Sequence, residues 1–433
     1  MATILKRGII LPLLKDLALQ KQLLKAVERI GYTDATEVQA AAIPPALTGR
    51  DIMVSAKTGS GKTAAFLLPL LNRMLVEEAP GTRALILLPT RELALQTKKA
   101  FESLAGFTRI KCGLIIGGEA FKYQIATIRK NPEIFIATPG RLVEHIEKGS
   151  IKFDDLEVLV LDEADRMLDM GFEDDMNAIA RVCRKEKQTL LFSATLVHGK
   201  LSKIKEILVD PIIIEVDSHR QSHSDIKQEI VLADDQKHKM MLVLGLVREE
   251  KAERVIVFCK TRDQCEELGN ILRYKKMNAG FIHGEIPQSE RKQVMNRFRD
   301  GKLNVLVATD LAARGLDVAN VDLVINYSVA HTGDDHVHRV GRTGRAGQSG
   351  KAITLVNAHE WNLMSSIERY LNLSFEKRFV KGLKAVFKGP KKLKKSGKAA
   401  GTKKKKSASK STKRKSFGAN KKRDGFSVLK KKK

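Results

Sequence analysis

The chain has 433 residues, 43% hydrophobic and 5% aromatic, and a formal net charge of +28. This length predicts two or three domains with mainly aliphatic cores. Four cysteines without a closely spaced pair argue against a disulfide framework or a zinc site and favour a cytosolic protein. No apolar stretch approaches the ~20 residues of a membrane span, and Pro12 interrupts the N-terminal apolar run, so neither a membrane partner nor a secretory leader is expected.

The first half alternates apolar runs with segments of helical character. Each run is a continuous stretch of aliphatic residues without polar alternation, which is typical of strands buried on both faces. The pattern between residues 36 and 214 therefore predicts an α/β fold with a doubly wound parallel sheet. The predicted strands are 52–54, 84–88, 114–116, 134–136, 158–161 and 190–192.

A glycine-rich segment follows the first predicted strand and ends in Gly-x-Gly-Lys-Thr, a combination expected by chance in only about one chain in a hundred. Its backbone N–H groups can surround a phosphate at the start of a helix predicted over 63–71. Lys62 can then reach the β- and γ-phosphates, and the Thr63 hydroxyl can bind Mg²⁺. The first glycine of the general phosphate-loop pattern is here Ala56. The predicted nucleotide contacts in this segment are Ala56, Thr58, Gly59, Ser60, Gly61, Lys62 and Thr63.

A carboxylate pair, Asp162 and Glu163, follows the predicted strand 158–161. Ligands of open α/β sheets bind at the carboxyl ends of the strands, which is where Asp162 is expected. Such a pair can hold Mg²⁺ and activate water. An exposed helix start is the simpler interpretation, but the buried strand and the upstream phosphate loop favour the catalytic one.

The polar segment 217–225 breaks the alternation and predicts a linker. A second α/β pattern follows it without a Gly-Lys-Thr loop of its own. This half contributes instead an arginine-rich loop over residues 338–345. Its predicted strands are 255–258, 279–282, 305–307, 324–327 and 352–355.

The last 46 residues form a basic tail. Residues 388–433 contain 21 lysines and arginines against the single Asp424, a charge of +20 that leaves only +8 for the rest of the chain. Ser, Gly, Ala and Thr separate the basic runs and cannot build a core, so the tail is predicted to be largely disordered. It can serve as an electrostatic arm for nucleic acid, or simply as a solubilising or targeting segment.

Ordered motifs in both halves carry a family resemblance. They are residues 56–63, 89–93, 117–118, 138–141, 162–165, 193–195, 283–284, 288, 291, 308–310, 313–317 and 338–345. Together they resemble the DEAD-box ATP-dependent RNA helicases over roughly residues 14 to 370, and within that family the chain is similar to bacterial enzymes of ribosome assembly and RNA turnover. The resemblance implies two tandem RecA-like domains, 1–216 and 226–375, which ATP and RNA close together, followed by the tail 376–433.

The resemblance also implies roles in ATP binding and hydrolysis. Tyr32 stacks on adenine and Gln39 reads its edge. Asp162 holds Mg²⁺ through water, and Glu163 deprotonates the attacking water while Lys62 binds phosphate. The residues expected to contribute from the second half are Arg342 and Arg345 as arginine fingers, Asp317 at the ribose, and Gly315 in the same ATP site.

RNA is expected to be held mainly by phosphate and sugar, with low sequence specificity and without an aromatic stacking platform in the matched motifs. The candidate RNA contacts are Arg91, Gly118, Thr138 and Arg141 in the first half, and Thr261, Arg262, Gly284 and Thr309 in the second. The candidates for coupling ATP to RNA are Ser193, Thr195, His338 and Arg339.

Three positions depart from the family pattern: Leu14 replaces a typical phenylalanine, Ala35 replaces a proline, and His336 stands where an aromatic residue is common. Gln39 should preserve adenine selectivity, although with lower affinity.

The expected activity is an RNA-dependent ATPase that locally unwinds short duplexes or remodels RNA–protein complexes. Ribosomal precursor particles are possible partners, and the core is expected to be monomeric. The expected location is cytoplasmic, or nucleolar in a eukaryote. Two other functions fit part of the pattern: an ATP-gated RNA clamp, which the intact Glu163, Arg342 and Arg345 disfavour, and a DNA helicase.

Overall fold

The computed structural model describes residues 12–56, 59–77, 79–194, 204–216, 226–313, 321–344, 350–390, 394 and 397–399. The predicted linker 217–225 and most of the basic tail lie outside these residues. So do five of the predicted site residues: Thr58, Thr195, Gly315, Asp317 and Arg345.

The first half contains a sheet of seven parallel strands in the order β3-β4-β2-β5-β6-β1-β7. Among the described residues, helices join consecutive strands from β1 to β6, as parallel strands require. The strands are β1 (Ile52–Ser55), β2 (Ala84–Leu87), β3 (Cys112–Ile115), β4 (Ile134–Ala137), β5 (Val158–Leu161), β6 (Gln188–Ser193) and β7 (Ile212–Glu215).

The second half repeats this topology. Its seven parallel strands lie in the order β10-β11-β9-β12-β13-β8-β14, which is the first order with every number raised by seven. Each strand of one half therefore has an equivalent in the other. The strands are β8 (Ile226–Leu232), β9 (Val255–Cys259), β10 (Ala279–Ile282), β11 (Val305–Thr309), β12 (Leu323–Asn326), β13 (Gly350–Val356) and β14 (Glu376–Arg378).

Fourteen α-helices are found among the described residues, and none of them is long and apolar enough to cross a bilayer. Short 3₁₀ turns occur at Leu14–Asp16 and Lys205–Ile207. The helices of the first half are α1 (Lys21–Ile30), α2 (Glu37–Leu47), α3 (Lys62–Val76), α4 (Arg91–Leu104), α5 (Phe121–Ile128), α6 (Pro139–Glu147), α7 (Ala164–Asp169) and α8 (Glu173–Val182). Those of the second half are α9 (Gln236–Glu250), α10 (Arg262–Tyr274), α11 (Gln288–Arg299), α12 (Asp310–Ala313), α13 (Gly333–Val340) and α14 (Trp361–Leu371).

Both faces of each sheet are buried, which explains the continuous apolar runs in the sequence. In β6, Leu190 and Phe192 point into the core on one side of the first sheet, and Leu191 points into the core on the other. Phe66 of α3 packs edge-on against Phe192 with ring centres 5.5 Å apart. These contacts place the start of α3 at the carboxyl edge of the first sheet.

Three strands were not predicted from the sequence. β7 lies at the edge of the first sheet, and β8 carries polar residues among its apolar ones. β14 has no apolar residue and lies beyond the domain end predicted at residue 375. Arg378 anchors this strand through ion pairs with Glu229 (3.2 Å) and Glu249 (2.8 Å).

The described residues after β14 continue along the second half as a C-terminal arm, which we define as the described residues from 379 to 399. Phe387 packs edge-on against Trp361, with ring centres 6.2 Å apart. The Trp361 indole N–H and the Ser365 hydroxyl both donate to the carbonyl of Gly397 (3.2 and 3.0 Å). The chain is therefore held on α14 as far as Ala399, whose N–H donates to an Asn362 side chain.

Candidate nucleotide and RNA site

A cleft of about 520 Å³ lies at the carboxyl edge of the first sheet. Its volume lies within the range of small-molecule sites. It brings the phosphate loop, the carboxylate pair and the predicted adenine site together with one residue from the second half. The lining residues are Ile30, Tyr32, Gln39, Gly59, Gly61, Lys62, Thr63, Ala64, Leu93, Gln96, Thr97, Ala100, Ser103, Leu104, Asp162, Glu163, Arg166 and Arg342.

The phosphate loop connects β1 to α3. The Ala56 N–H donates to the Ser193 carbonyl (3.1 Å), which ties the loop to the end of β6. Lys62 is the first residue of α3, and its ammonium donates to the Ala56 carbonyl (2.9 Å) across the loop. Among the described polar side chains, the Ser60 hydroxyl is one that is buried without a hydrogen-bond partner. The loop thus places the Lys62 ammonium, the N-terminus of α3 and the Ser60 hydroxyl close together, and a helix N-terminus of this kind is suited to phosphate binding.

Gln39 has two structural roles at the adenine end of the cleft. It forms a reciprocal cap with Thr36, in which the Gln39 side-chain oxygen accepts from the Thr36 N–H (3.0 Å). Its amide nitrogen donates to the Gly61 carbonyl (3.3 Å). An amide has two oxygen lone pairs and two hydrogens, so one acceptor and one donor remain for adenine. Tyr32, whose residue surface is 47% exposed, lines the same cleft and can stack on the base.

Gly61 is required where the loop meets Gln39. Its φ is +95°, a left-handed conformation that side chains rarely adopt. A Cβ at this position would also lie 2.6 Å from the Gln39 amide nitrogen. Sequence reasoning assigned Gly61 to phosphate binding, and the structure adds its contact with the predicted adenine-reading residue.

The carboxylate pair follows β5 as predicted. The Asp162 N–H donates to the Leu87 carbonyl (3.1 Å), and an Asp162 carboxylate oxygen accepts from the Glu163 N–H (2.9 Å). Glu163 caps α7 in a left-handed conformation, with φ of 54°. Its carboxylate lies 3.7 Å from the Lys62 ammonium and 3.1 Å from the Arg166 guanidinium. The backbone strain at Glu163 is typical of residues held for function.

The charge of Glu163 is set by cations from both halves. Burial alone would raise the pKa of Glu163, but Arg166 and Lys62 outweigh it and hold the pKa at about 2. Arg342 of the second half acts in the same direction. Glu163 is therefore an ionised carboxylate.

Two residues of the second half act on this cleft. Arg342 lies just after α13 and lines the cleft with only 5% of its surface exposed. His338 of α13 feels the charges of Arg166 and Glu163, and burial lowers its pKa well below the usual value, so its imidazole is neutral. The cleft thus brings Arg342 together with Asp162 and Glu163, which lie about 180 positions earlier in the sequence.

The cleft also offers the donors that Mg²⁺ prefers. The Thr63 hydroxyl and the Asp162 carboxylate both line it, and hard oxygen ligands of this kind suit Mg²⁺ together with phosphate and water oxygens. Burial raises the pKa of Asp162 to about 7 although Lys62 lowers it, so a divalent cation beside this carboxyl would favour its ionised form. The donor set fits the predicted metal.

The candidate RNA residues occupy equivalent places in the two sheets. Arg91, Gly118 and Thr138 follow β2, β3 and β4. Thr261 and Gly284 follow β9 and β10, and Thr309 ends β11. Because β9, β10 and β11 are the equivalents of β2, β3 and β4, each half presents its candidates at the carboxyl ends of the same three adjacent strands.

In the first half, the RNA candidates gather around the loop that follows β3. Gly118 has φ of +80°, and a Cβ there would fall 1.8 Å from a terminal nitrogen of Arg91, so the guanidinium lies against the bare glycine backbone. The Thr138 hydroxyl accepts from the Gly117 N–H (3.3 Å). Arg141 donates to the Glu119 carbonyl (2.8 Å). These contacts fix two arginines beside the loop after β3.

The second-half candidates are linked to the nucleotide cleft through Arg339. Thr309 is followed by Asp310, which forms a two-point ion pair with Arg339 of α13 (2.6 and 2.7 Å). Arg339 also donates to the Ser328 carbonyl (2.6 Å) and is 2% exposed. The structure thus places Arg339 within the second half, where it joins the helix of His338 to a candidate RNA strand end. Arg262 instead pairs on the surface with Asp263 and Glu285.

A direct contact joins the two halves beside Arg91. The Glu92 carboxylate accepts from the Gln288 amide (3.1 Å) and pairs with Arg291 (3.2 Å). Arg291 also donates to the Ala312 carbonyl (2.7 Å), in the helix that follows Thr309. All three charged or polar partners belong to motifs that the sequence had already singled out.

The three departures from the family pattern have structural accommodations. Leu14 is 1% exposed and belongs to the core of the first half, and the Ala35 N–H donates to the Pro12 carbonyl (3.0 Å). His336 retains an aromatic contact with Phe375, with ring centres 5.5 Å apart. Its ring nitrogen also lies 2.9 Å from the side-chain oxygen of Gln228 on β8, a hydrogen bond that an apolar ring could not make.

Sequence reasoning missed Arg166 and Gln124. Arg166 looks like an ordinary helix-surface arginine three residues after Glu163, yet it is 2% exposed and lines the cleft. Gln124 is 1% exposed, and its side-chain oxygen accepts from Arg141 (3.1 Å). A polar residue within an otherwise apolar helix face was the available signal for Gln124.

Comparisons with known proteins agree with this geometry. The profile of DEAD/DEAH box helicases matches residues 36–204, and that of the helicase conserved C-terminal domain matches residues 236–347. The ATP-dependent RNA helicase SrmB of Escherichia coli is 41% identical over 379 residues, covering 87% of this chain and 85% of SrmB. The probable ATP-dependent RNA helicase ddx27 of Dictyostelium discoideum is 44% identical over 363 residues, which are 82% of this chain but only 46% of that protein.

The fold is shared with a solved RNA complex. The structure of S. cerevisiae Dbp5 bound to RNA and ADP BeF3 superposes with a TM-score of 0.77 at 28% identity, covering 85% of this chain and 95% of that one. This confirms the predicted pair of RecA-like domains. With two matching family profiles and a relative aligned over most of both chains, the protein belongs to the DEAD-box family of ATP-dependent RNA helicases.

Proposed function

We propose that this protein is an RNA-dependent ATPase that locally unwinds short RNA duplexes or remodels RNA–protein complexes. The single observation that carries the proposal is the shared cleft, where Arg342 of the second half lines the same cavity as Lys62 and Glu163 of the first. Candidate RNA residues of both halves lie at equivalent strand ends, and Glu92 joins the halves next to Arg91. One closed arrangement therefore serves both ligands.

In the proposed reaction, Lys62 neutralises the phosphates, and Glu163 orients the attacking water and accepts its proton. Asp162 and Thr63 would hold Mg²⁺, which would supply positive charge to offset the charge that develops on the γ-phosphoryl group. Arg342 stabilises the same charge from the second half, as arginine fingers do. Phosphoryl transfer depends on positioning and electrostatics, so hydrolysis requires both halves to be in place.

RNA would favour this arrangement because it contacts both sheets at once. Arg339 and Arg291 carry the coupling on the second half, since Arg339 ties Asp310 to α13 and Arg291 ties the Ala312 carbonyl to Glu92. We assign Ser193 to the same coupling on the first half, because its carbonyl accepts from the phosphate-loop residue Ala56. A ligand that binds the closed state better shifts the population toward it.

We further propose that the protein acts in ribosome assembly or RNA turnover, on ribosomal precursor particles, in the cytoplasm or, in a eukaryote, the nucleolus. The supports are the resemblance to bacterial enzymes of these processes and the basic tail, whose +20 charge attracts polyphosphate. Sequencing of RNA crosslinked to the full chain in cells would test this assignment. Enrichment of ribosomal precursor or decaying RNA is expected, and an RNA set that mirrors total abundance would contradict it.

The biochemical proposal is tested by multiple-turnover ATP hydrolysis with no nucleic acid, with single-stranded RNA and with DNA of the same sequence. Strong stimulation by RNA alone is expected, because the family resemblance implies discrimination through 2′-hydroxyls. Hydrolysis limited to one turnover would favour an ATP-gated clamp. Equal stimulation by DNA would favour a DNA helicase.

A further inference from the structure

An aromatic and basic cluster lies beside the candidate RNA residues of the first half. α5 begins at Phe121, three residues after Gly118. Lys122 lies 5.2 Å from the ring centre of Tyr123, and Lys148 lies 4.2 Å from that of Phe121. We call Phe121, Lys122, Tyr123 and Lys148 the aromatic–lysine patch.

Within the patch, Tyr123 is the aromatic ring that is open to a ligand. Phe121 stacks on His145 with ring centres 3.9 Å apart and planes 9° apart, while the Lys148 ammonium lies close to the same ring. The residue surface of Tyr123 is 65% exposed. Phe121 is therefore packed against His145, whereas the ring of Tyr123 is largely exposed.

Gln124 connects the patch to the candidate RNA interface. Its side-chain oxygen accepts from Arg141 (3.1 Å) and lies 3.0 Å from a ring nitrogen of His145. Its amide nitrogen donates to the Ile116 carbonyl (2.6 Å) at the end of β3. A single buried side chain therefore fixes Arg141 and the His145–Phe121 stack relative to each other.

The patch is within reach of the same RNA strand. Tyr123 is the fifth residue after Gly118, so their Cα atoms are at most ~17 Å apart even for a fully extended chain. At about 3.4 Å per stacked nucleotide, a strand that contacts Gly118 and Arg141 needs only a few more nucleotides to arrive at Tyr123.

We propose that Tyr123 is a stacking site for one nucleobase of single-stranded RNA that continues beyond the residues already assigned, with Lys122 and Lys148 contacting its phosphates. This inference rests on the proposed RNA-binding function. Every base offers a π-face, so such a site adds affinity without sequence specificity. Tyr123 lies outside the matched motifs, and the expectation that RNA has no aromatic stacking platform applied only to those motifs.

A matched control exists in the second half. Tyr274 is 82% exposed, and Lys275 lies 5.6 Å from its ring centre, so the same residue pair occurs there. Tyr274 ends α10, whereas the candidate RNA residue Arg262 begins it. Twelve steps of 1.5 Å place the two ends about 18 Å apart. Tyr274 thus tests whether any exposed Tyr–Lys pair supports RNA binding.

The test measures binding of the full chain, with a non-hydrolysable ATP analogue, to fluorescent single-stranded RNA of ~12 nucleotides, within the range that single-strand sites cover. Tyr123→Ala is expected to weaken binding about 5- to 100-fold, as loss of one stacked base does. Tyr123→Phe and Tyr274→Ala should bind like the wild type. In a series of RNAs with one abasic position each, one position should weaken the wild type but not Tyr123→Ala.

Equal RNA affinity of Tyr123→Ala and the wild type would overturn the proposal. So would a Tyr123→Ala defect that remains the same at every abasic position, because the tyrosine would then not contact a base. Because binding is measured without turnover, failure of the stacking site can be distinguished from failure of the proposed ATPase.

Discussion

Replacing Gly118 with alanine should separate RNA binding from nucleotide binding. The new Cβ would fall 1.8 Å from a terminal nitrogen of Arg91, far inside any real contact distance, so the guanidinium must move. Loss of one charge-assisted contact to phosphate costs ~1.5–3 kcal/mol, or about 10- to 150-fold in RNA affinity. The φ of +80° adds ~1–2 kcal/mol of strain, which lowers folding stability.

Gly301→Ala is the matched control for strain alone. Gly301 has φ of +73°, and a Cβ there would meet no atom within 4 Å. The assay titrates fluorescent RNA into each variant with a non-hydrolysable ATP analogue, and measures ATP-analogue binding separately. Gly118→Ala should lose RNA affinity and keep nucleotide affinity, while Gly301→Ala keeps both. Equal RNA affinities of the two variants would refute the reasoning that Arg91 lies on Gly118 to contact RNA.

Three further predictions follow from the same contacts. Gln39→Ala should weaken ATP use and reduce the preference for ATP over GTP, because the adenine contact contributes ~1–3 kcal/mol of discrimination by analogy with base readout. Steady-state kinetics with both nucleotides check this. Equal use of ATP and GTP by the wild type would contradict the assignment of Gln39 to adenine. Truncation after Ala399 keeps the C-terminal arm but removes 15 lysines and arginines, so it should lower RNA affinity. If ~4 contacts to single-stranded RNA are lost, the slope of log affinity against log salt concentration should become shallower by about 3 in RNA titrations. An unchanged affinity and slope would show that the removed segment does not contact RNA. Glu360→Ala should lower the free energy of unfolding of the second half by ~3 kcal/mol, because Lys239 is fully buried and its ammonium pairs with Glu360 at 2.5 Å. Denaturant unfolding followed by the fluorescence of the single tryptophan, Trp361, checks this. A decrease of less than ~1 kcal/mol would show that the ion pair is not needed for stability.

The strands buried on both faces were predictable, because their apolar runs are continuous and turn signals bound them. β14 shows the limit: its three residues are all charged, and it joins the sheet through backbone pairing with β8 and ion pairs of Arg378. Nothing in the local sequence carries that information. The repeated strand order could likewise be seen only once the edge strands were in place.

The candidate site was predictable where a short motif contains its own chemistry. Lys62 and Asp162 belong to such motifs, and the structure places both in the cleft. Arg166 was missed because its role depends on burial, which a single arginine in a helix does not indicate, and the signal for Gln124, a polar residue on an apolar helix face, does not name its partners. The contact between Glu92 and Gln288 depends on the relative placement of the two halves, and the sequence does not encode that placement in any local pattern.

The central claim, that Glu163 drives ATP hydrolysis in a cleft assembled by RNA, is tested most directly by Glu163→Gln. The measurement is the steady-state rate of ATP hydrolysis at saturating RNA, beside RNA binding with a non-hydrolysable ATP analogue. Because an amide keeps the shape but cannot accept the proton, we expect hydrolysis to fall about 10²- to 10⁴-fold while binding of both ligands is retained. A variant that hydrolyses ATP at nearly the wild-type rate would contradict the assignment of Glu163 as the general base.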